Sequence, residues 1–139
     1  MDRAMGLLQT NTCVVCKGDT VYTSQQTGIS PMLDWLSEEK DLRGGAAADK
    51  IVGKAAALLF VLAGVREVYG EVMSEAGYQA LQAHGIPCTY GTLTPYIVNR
   101  QGTGMCPMEQ TVLTIDDPKT AFRALLQKRE ELRNKTHHV

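Results

Sequence analysis

Lys50 and Lys54 stand four residues apart in the segment GGAAADKIVGKAAALLFVLAG, just ahead of a stretch, 55–63, that carries no charge at all. The apolar run, stopped by Gly64, predicts one long buried helix over 47–63, with Leu58, Leu59 and Leu62 in the core. Both cations then fall in its first turns and on one face, at the end where the helix dipole favours anions. An anionic ligand would reconcile them. Free N–H groups at a helix start bind phosphate or carboxylate, and Gly44 and Gly45 let a backbone approach such a group closely. The competing reading is that both lysines reach into water along their alkyl stems, with Asp49 as cap or partner.

A second candidate is the loop Asn99-Arg100-Gln-Gly-Thr-Gly-Met-Cys106-Pro107-Met-Glu109. Pro107 suits a first helical position, which puts Cys106 at a helix N-terminus, where a thiolate is stabilised. Glu109 in the first turn would polarise a substrate or hold an amine. Asn99 and Arg100 would supply a hydrogen-bond donor and an anion fork. The plainer reading makes Cys106 a cap-adjacent packing residue and Glu109 a capping carboxylate. A nucleophilic cysteine also needs a base, and His84 sits at a helix end while His137 and His138 lie in a polar tail. Lys50 or Lys54 would have to act as the activating cation, with Asp49 completing the catalytic set.

Other motifs carry less. Cys13 and Cys16 have the spacing of a redox or metal pair, but in a strand a separation of three sends them to opposite faces. The glycine-lysine stretch lacks the Gly-x4-Gly-Lys-Ser/Thr pattern and a preceding strand, so it is no triphosphatase loop. Tyr22, Tyr90 and Tyr96 are the aromatics that could stack on a base. No cofactor motif is present.

These groups need a scaffold. Residues 3–9 suit a short amphipathic helix, and the runs around Lys17-Gly18-Asp19 predict a hairpin. Ser30-Pro31 opens a helix to about residue 40. A strand over 65–73 precedes a helix at 74–83 closed by His84-Gly85, then a strand over 86–90 and an extended piece at 96–98. Asp116-Asp117-Pro118 caps a last helix, over 119–135. Strands alternating with helices predict a three-layer α/β domain, a mixed sheet with helices on both faces. The 139 residues fit a single domain over 1–139, its N-terminal helix and the tail from about 126 being peripheral.

A formal charge of -1 provides no general basic field for nucleic acid or an anionic membrane. No stretch reaches the length of a membrane span, and no signal peptide is legible, so the expected location is cytoplasmic, with the four cysteines as free thiols.

The segments AADKIVGKAAALLF, PYIVNRQGTGMCPMEQTV and IDDPKTAFRAL, in this order of elements, resemble an uncharacterised bacterial family of unknown function whose members have a cytidine-deaminase-like fold. The resemblance runs from the hairpin to Ala124. It implies a nucleobase-like ligand, but the zinc motifs of such deaminases, His-x-Glu or Cys-x-Glu and Pro-Cys-x-x-Cys, have no match. At the two places compared, the chain has Ala48-Asp49-Lys50 and Met73-Ser74-Glu75-Ala76, without thiolate or imidazole. The combined reading is binding, with or without metal-independent turnover, of a small anionic, nucleotide- or nucleobase-like metabolite. The catalytic set would be Cys106, Asp49, Lys50 and Glu109, and the ligand-binding set Gly45, Lys54, Asn99 and Arg100. The alternatives are a non-catalytic ligand-binding or regulatory domain, or an oligomer-forming module, on a deaminase-like scaffold.

Overall fold

The structure, a computed structural model, describes residues 1–99 and 101–137, with side chains as far as Lys135. Arg100, His138 and the side chain of His137 lie outside the described residues. In chain order the elements are α1 (Asp2–Leu7), β1 (Cys13–Lys17), β2 (Thr20–Ser24), α2 (Ser30–Ser37), β3 (Ala46–Val52), α3 (Lys54–Ala63), β4 (Glu67–Ser74), α4 (Glu75–Ala83), β5 (Cys88–Thr94), α5 (Pro107–Thr111) and α6 (Pro118–His137). The five strands are ordered β2-β1-β3-β4-β5. β1 is antiparallel to β2 and β3, while β3, β4 and β5 run parallel through the α3 and α4 crossovers. This is the mixed-sheet α/β class expected. No helix among the described residues is long and apolar enough to cross a membrane.

Segment 47–63 is not one helix. Its first part is β3, the central strand, and the helix begins only at Lys54. Alanine favours helix, yet Ala46, Ala47 and Ala48 are at most 1% exposed, covered on both faces of the sheet. A strand buried on both sides reads as a continuous apolar run, and small side chains let neighbours close over it. Gly53 makes the corner in extended conformation. A Cβ there would overlap the Glu109 carboxylate. The helix that remains is apolar all round because it is enclosed: the sheet lies beneath it, and α2, α4 and α6 pack around it. Leu58 and Leu59 are buried as expected, but Leu62 is only half-buried. Gly64 ends α3 in the left-handed conformation.

The main core lies between the sheet and these helices, around Phe60, Met32, Leu33, Leu58, Leu59, Leu81 and Leu125. Arg129 of α6 donates to Asp34 of α2 at 2.8 Å, tying the last helix across the layer. Among the described residues the opposite face carries only α1, which covers Val14 of β1 and Ala48 of β3 with Ala4 and Leu8.

Smaller adjustments follow from local chemistry. Ser30 is the first residue of α2 rather than its cap, because Ile29 holds the cap position with no side-chain bond. α2 stops at Ser37, not near Lys40. β5 extends past Tyr90 to Thr94, and 96–98 contributes only a bridge from Val98 to Met105.

Candidate functional site

The carboxyl ends of β3, β4 and β5 meet at one edge, the usual place for a ligand in an open α/β sheet. Here that edge is largely filled by the chain itself. The backbone N–H groups of Lys54 and Ala55, the first two residues of α3, donate to Oε1 and Oε2 of Glu109, each at 2.7 Å. The anion expected at this helix start is thus a carboxylate from α5. Burial pushes the Glu109 carboxyl above its usual range, opposed by the Ala55 and Lys54 N–H bonds and by the Lys54 charge. The Lys54 ammonium pairs with Asp116 Oδ1 at 2.9 Å and donates to the Leu113 carbonyl at 3.3 Å. Next to it, Ser74 Oγ caps α4 by accepting from Gly77 N–H at 2.9 Å. Gly77 must be glycine, since a Cβ there would stand 2.8 Å from the Val52 carbonyl oxygen.

Asp49 lies in β3, on the helix side of the sheet, opposite Cys13 in the antiparallel register with β1. It is 5% exposed, and its Oδ1 accepts from Ile51 N–H at 3.2 Å. Desolvation pushes its carboxyl up to about 8, against hydrogen bonds from Ile51, Cys13 and Lys50. Burial, with Asp49 beside it, also pushes the Cys13 thiol well up. At neutral pH this pair is a protonated acid and a thiol sharing a hydrogen bond, a poor nucleophile but a stable polar unit in a core.

Strand alternation sends Lys50 to the other face, away from Asp49. There it lines a groove of about 440 Å³ with Met5, Leu8, Gln9, Tyr69 and Glu71, between α1 and the β3–β4 surface. Among the described residues neither Lys50 nor Glu71 has an ion-pair partner within 4.0 Å. Tyr69 lies across the sheet toward β5, its Oη 3.3 Å from where a Cβ on Gly91 would be. A glycine at 91 leaves room for that ring.

The remaining candidates are dispersed. Gly45 is at the opposite end of β3, where a Cβ would stand 2.8 Å from Val15 Cγ1, so it serves close packing. Asn99 closes its own loop: its Oδ1 accepts from Thr103 N–H at 3.0 Å and its Nδ2 donates to Thr103 Oγ1 at 3.1 Å. Cys106 is the half-buried N-cap of α5, a helix of five residues. The structure therefore unites Lys54 with Glu109, and Asn99 with Cys106 in one loop, but separates Lys50 from Asp49 by the sheet. The groove partners Met5, Gln9, Tyr69 and Glu71 escaped sequence reasoning. The signal for them was the seven-residue run between Gly45 and Gly53, the length of a strand, whose period of two sends Lys50 and Asp49 to opposite faces.

The residues do not fit a zinc centre. Ala48-Asp49-Lys50 is mid-strand, and the helix starts flanking β3 are Ser30-Pro31-Met32 and Lys54-Ala55-Ala56, with neither imidazole nor thiolate. Among the described residues no three His, Cys, Asp or Glu side chains cluster as a metal site.

A family model described as TM1506, a domain of unknown function (DUF1893), matches residues 6–128. The crystal structure of a DUF1893 family protein (TM1506) from Thermotoga maritima superposes with a TM-score of 0.84 and 26% identity, covering 91% of this chain and 88% of that one. A diaminohydroxyphosphoribosylaminopyrimidine deaminase/5-amino-6-(5-phosphoribosylamino)uracil reductase from Thermotoga maritima gives a TM-score of 0.46 at 15% identity, covering 82% of this chain and 40% of the enzyme. No curated protein matches the sequence significantly.

Proposed function

The chain belongs to the DUF1893 family of domains of unknown function, and we propose that it binds a small anionic, nucleobase- or nucleotide-like metabolite, without metal, in the groove beneath α1. The observation that carries this reading is the Lys50 ammonium, without an ion-pair partner among the described residues, beside the Tyr69 ring in a groove of about 440 Å³. That volume lies within the usual range for small-molecule sites, roughly 300–1,000 Å³. Lys50 would hold the phosphate or carboxylate, and Tyr69 would pack against a flat ring. The Gln9 amide offers a donor and an acceptor, and Glu71 accepts from ring or exocyclic N–H groups. Met5 and Leu8 give the apolar wall. Asp49, whose carboxyl burial pushes up to about 8, lies on the other face of the sheet, out of reach of the groove, which favours binding without catalysis.

Thermal unfolding in the presence of adenosine monophosphate, cytidine monophosphate, adenosine and inorganic phosphate tests it. A ligand that binds only the folded chain stabilises it by about 2.7 kcal/mol at a hundredfold excess over Kd. A nucleotide should raise Tm more than its nucleoside or phosphate alone, and Lys50→Ala should abolish the difference. Equal responses of wild type and Lys50→Ala to every probe would overturn the proposal.

A further inference from the structure

The geometry points to a homodimer in which the β5 edges of two copies pair antiparallel, joining two five-stranded sheets into one. Among the described residues β5 is paired only with β4. Its middle residues, Thr89 to Leu93, are exposed, so both of its faces and its outer edge are open. Soluble proteins protect such an edge with charge, proline, a bulge or a covering element. Residues 88–94 read CTYGTLT, with no charge or proline among them; Pro87 and Pro95 stand just outside the strand, and 86–99 carry no charge. Tyr90, Leu93, Tyr96 and Val98, all in or just after this strand, are between 39% and 52% exposed.

The hydrogen-bonding pattern fixes a register. Val68 N–H donates to the Pro87 carbonyl, and Val68 is opposite Cys88. In a parallel ladder this turns the odd-numbered residues of β5 toward β4 and leaves the N–H and C=O groups of Cys88, Tyr90, Thr92 and Thr94 facing outward. An antiparallel second copy centred on Gly91 places Cys88 opposite the partner's Thr94 and Tyr90 opposite the partner's Thr92. Every outward group then finds a partner, giving about eight inter-strand bonds. Side chains agree with this register. Tyr90, edge-on to Tyr78 with ring centroids 6.0 Å apart, meets a β-branched threonine, and Leu93 meets the partner's Thr89. Gly91 meets itself at the two-fold axis.

Charge selects the occupant. A neutral edge offers nothing to an acidic or basic peptide but admits its own copy without like-charge contact. Glu71 is in β4 beside Gly91, so the two copies of it are three strand spacings apart, about 14 Å, beyond the screening length at physiological salt.

Size-exclusion chromatography with light scattering, over roughly 1–100 µM chain to follow mass action, should give twice the 15.2 kDa chain mass at the upper end. Thr92→Pro removes an outward N–H without touching the β4 ladder and should give a monomer whose circular dichroism matches wild type. Thr94→Cys should form an inter-chain disulfide with Cys88 on mild oxidation, lost in Thr94→Cys/Cys88→Ser, and this arm stands even if the proline variant fails to fold. A wild-type monomer throughout, a dimer indifferent to Thr92→Pro, or a Thr94→Cys dimer that forms no disulfide would each overturn the proposal.

Discussion

Lys54 and Lys50 are close in sequence and lie on opposite sides of the sheet. Lys54 opens α3, where the chain has satisfied every charge: Glu109 takes the two N–H groups, and Asp116 takes the ammonium. Lys50 points under α1 into a groove where no acid pairs with it among the described residues. A helix start rich in glycine and lysine is a reason to look for an anion, and the comparison shows that the anion can come from the fold. A lysine left over on a half-covered sheet face is the more informative one.

The sharpest way to break this contrast is Glu109→Ala. It leaves two buried N–H donors without an acceptor and should cost about 3 kcal/mol, or roughly 10 °C in Tm, by urea and thermal unfolding. Glu109→Gln retains one acceptor oxygen and should cost about half as much. Equal stability in Glu109→Ala would mean that the helix start is not held by this carboxylate.

The second test concerns pH. A carboxyl raised to about 8 in the folded state, against about 3.9 unfolded, binds its proton more tightly when folded. Its stabilising contribution is therefore complete below pH 4 and declines as pH rises through 8, by up to about 1.4 kcal/mol per unit. Glu109, also raised, acts in the same direction. The difference between wild type and Asp49→Asn isolates Asp49: the variant should gain on wild type steadily from pH 5 to 8 and level off above. A difference that does not change with pH would show that Asp49 ionises normally.

The two lysines provide the third test. Lys54→Met loses a pair whose acid is 91% exposed and should cost no more than about 1 kcal/mol while leaving any nucleotide-induced Tm rise intact. Lys50→Met should leave basal stability within about 0.5 kcal/mol and remove that rise. The reverse assignment would move the ligand to the α3 side. The smallest effect is on thiol labelling. Brief iodoacetamide treatment followed by peptide mass spectrometry should leave Cys13 unmodified until the chain unfolds, while half-buried Cys106 and Cys16 react in the native state.

How much could be read in advance depended on how local the signal was. The hairpin at Gly18, the glycine stops at 64 and 85 and the Asp117 cap are decided by a few neighbouring residues, and each is found where the sequence puts it, while Ser74, expected as the first residue of its helix, is the cap. β3 is decided by what lies above and below it. Ala46-Ala47-Ala48 is strong helix sequence, and only the closure of α1 on one face and α3 on the other makes it a strand. With β3 hidden, a helix over 47–63 gives Lys50 a helix face it does not have. Glu109 was recognisable as a capping carboxylate, but the helix it caps begins 55 residues earlier, a relation no local pattern contains. Nothing local singles out Tyr69, because its groove exists only once α1 has docked.

That 55-residue separation has a meaning in time as well as in space. A ribosome adding about 5–20 residues per second needs roughly 3–11 s to go from Lys54 to Glu109. For that interval α3, the most apolar helix among the described residues, emerges with its first two amides unanswered. The nascent chain therefore carries its central helix incomplete until α5 arrives, and a translation pause between the two would prolong the stage at which its apolar surface is most open to chaperones or to aggregation.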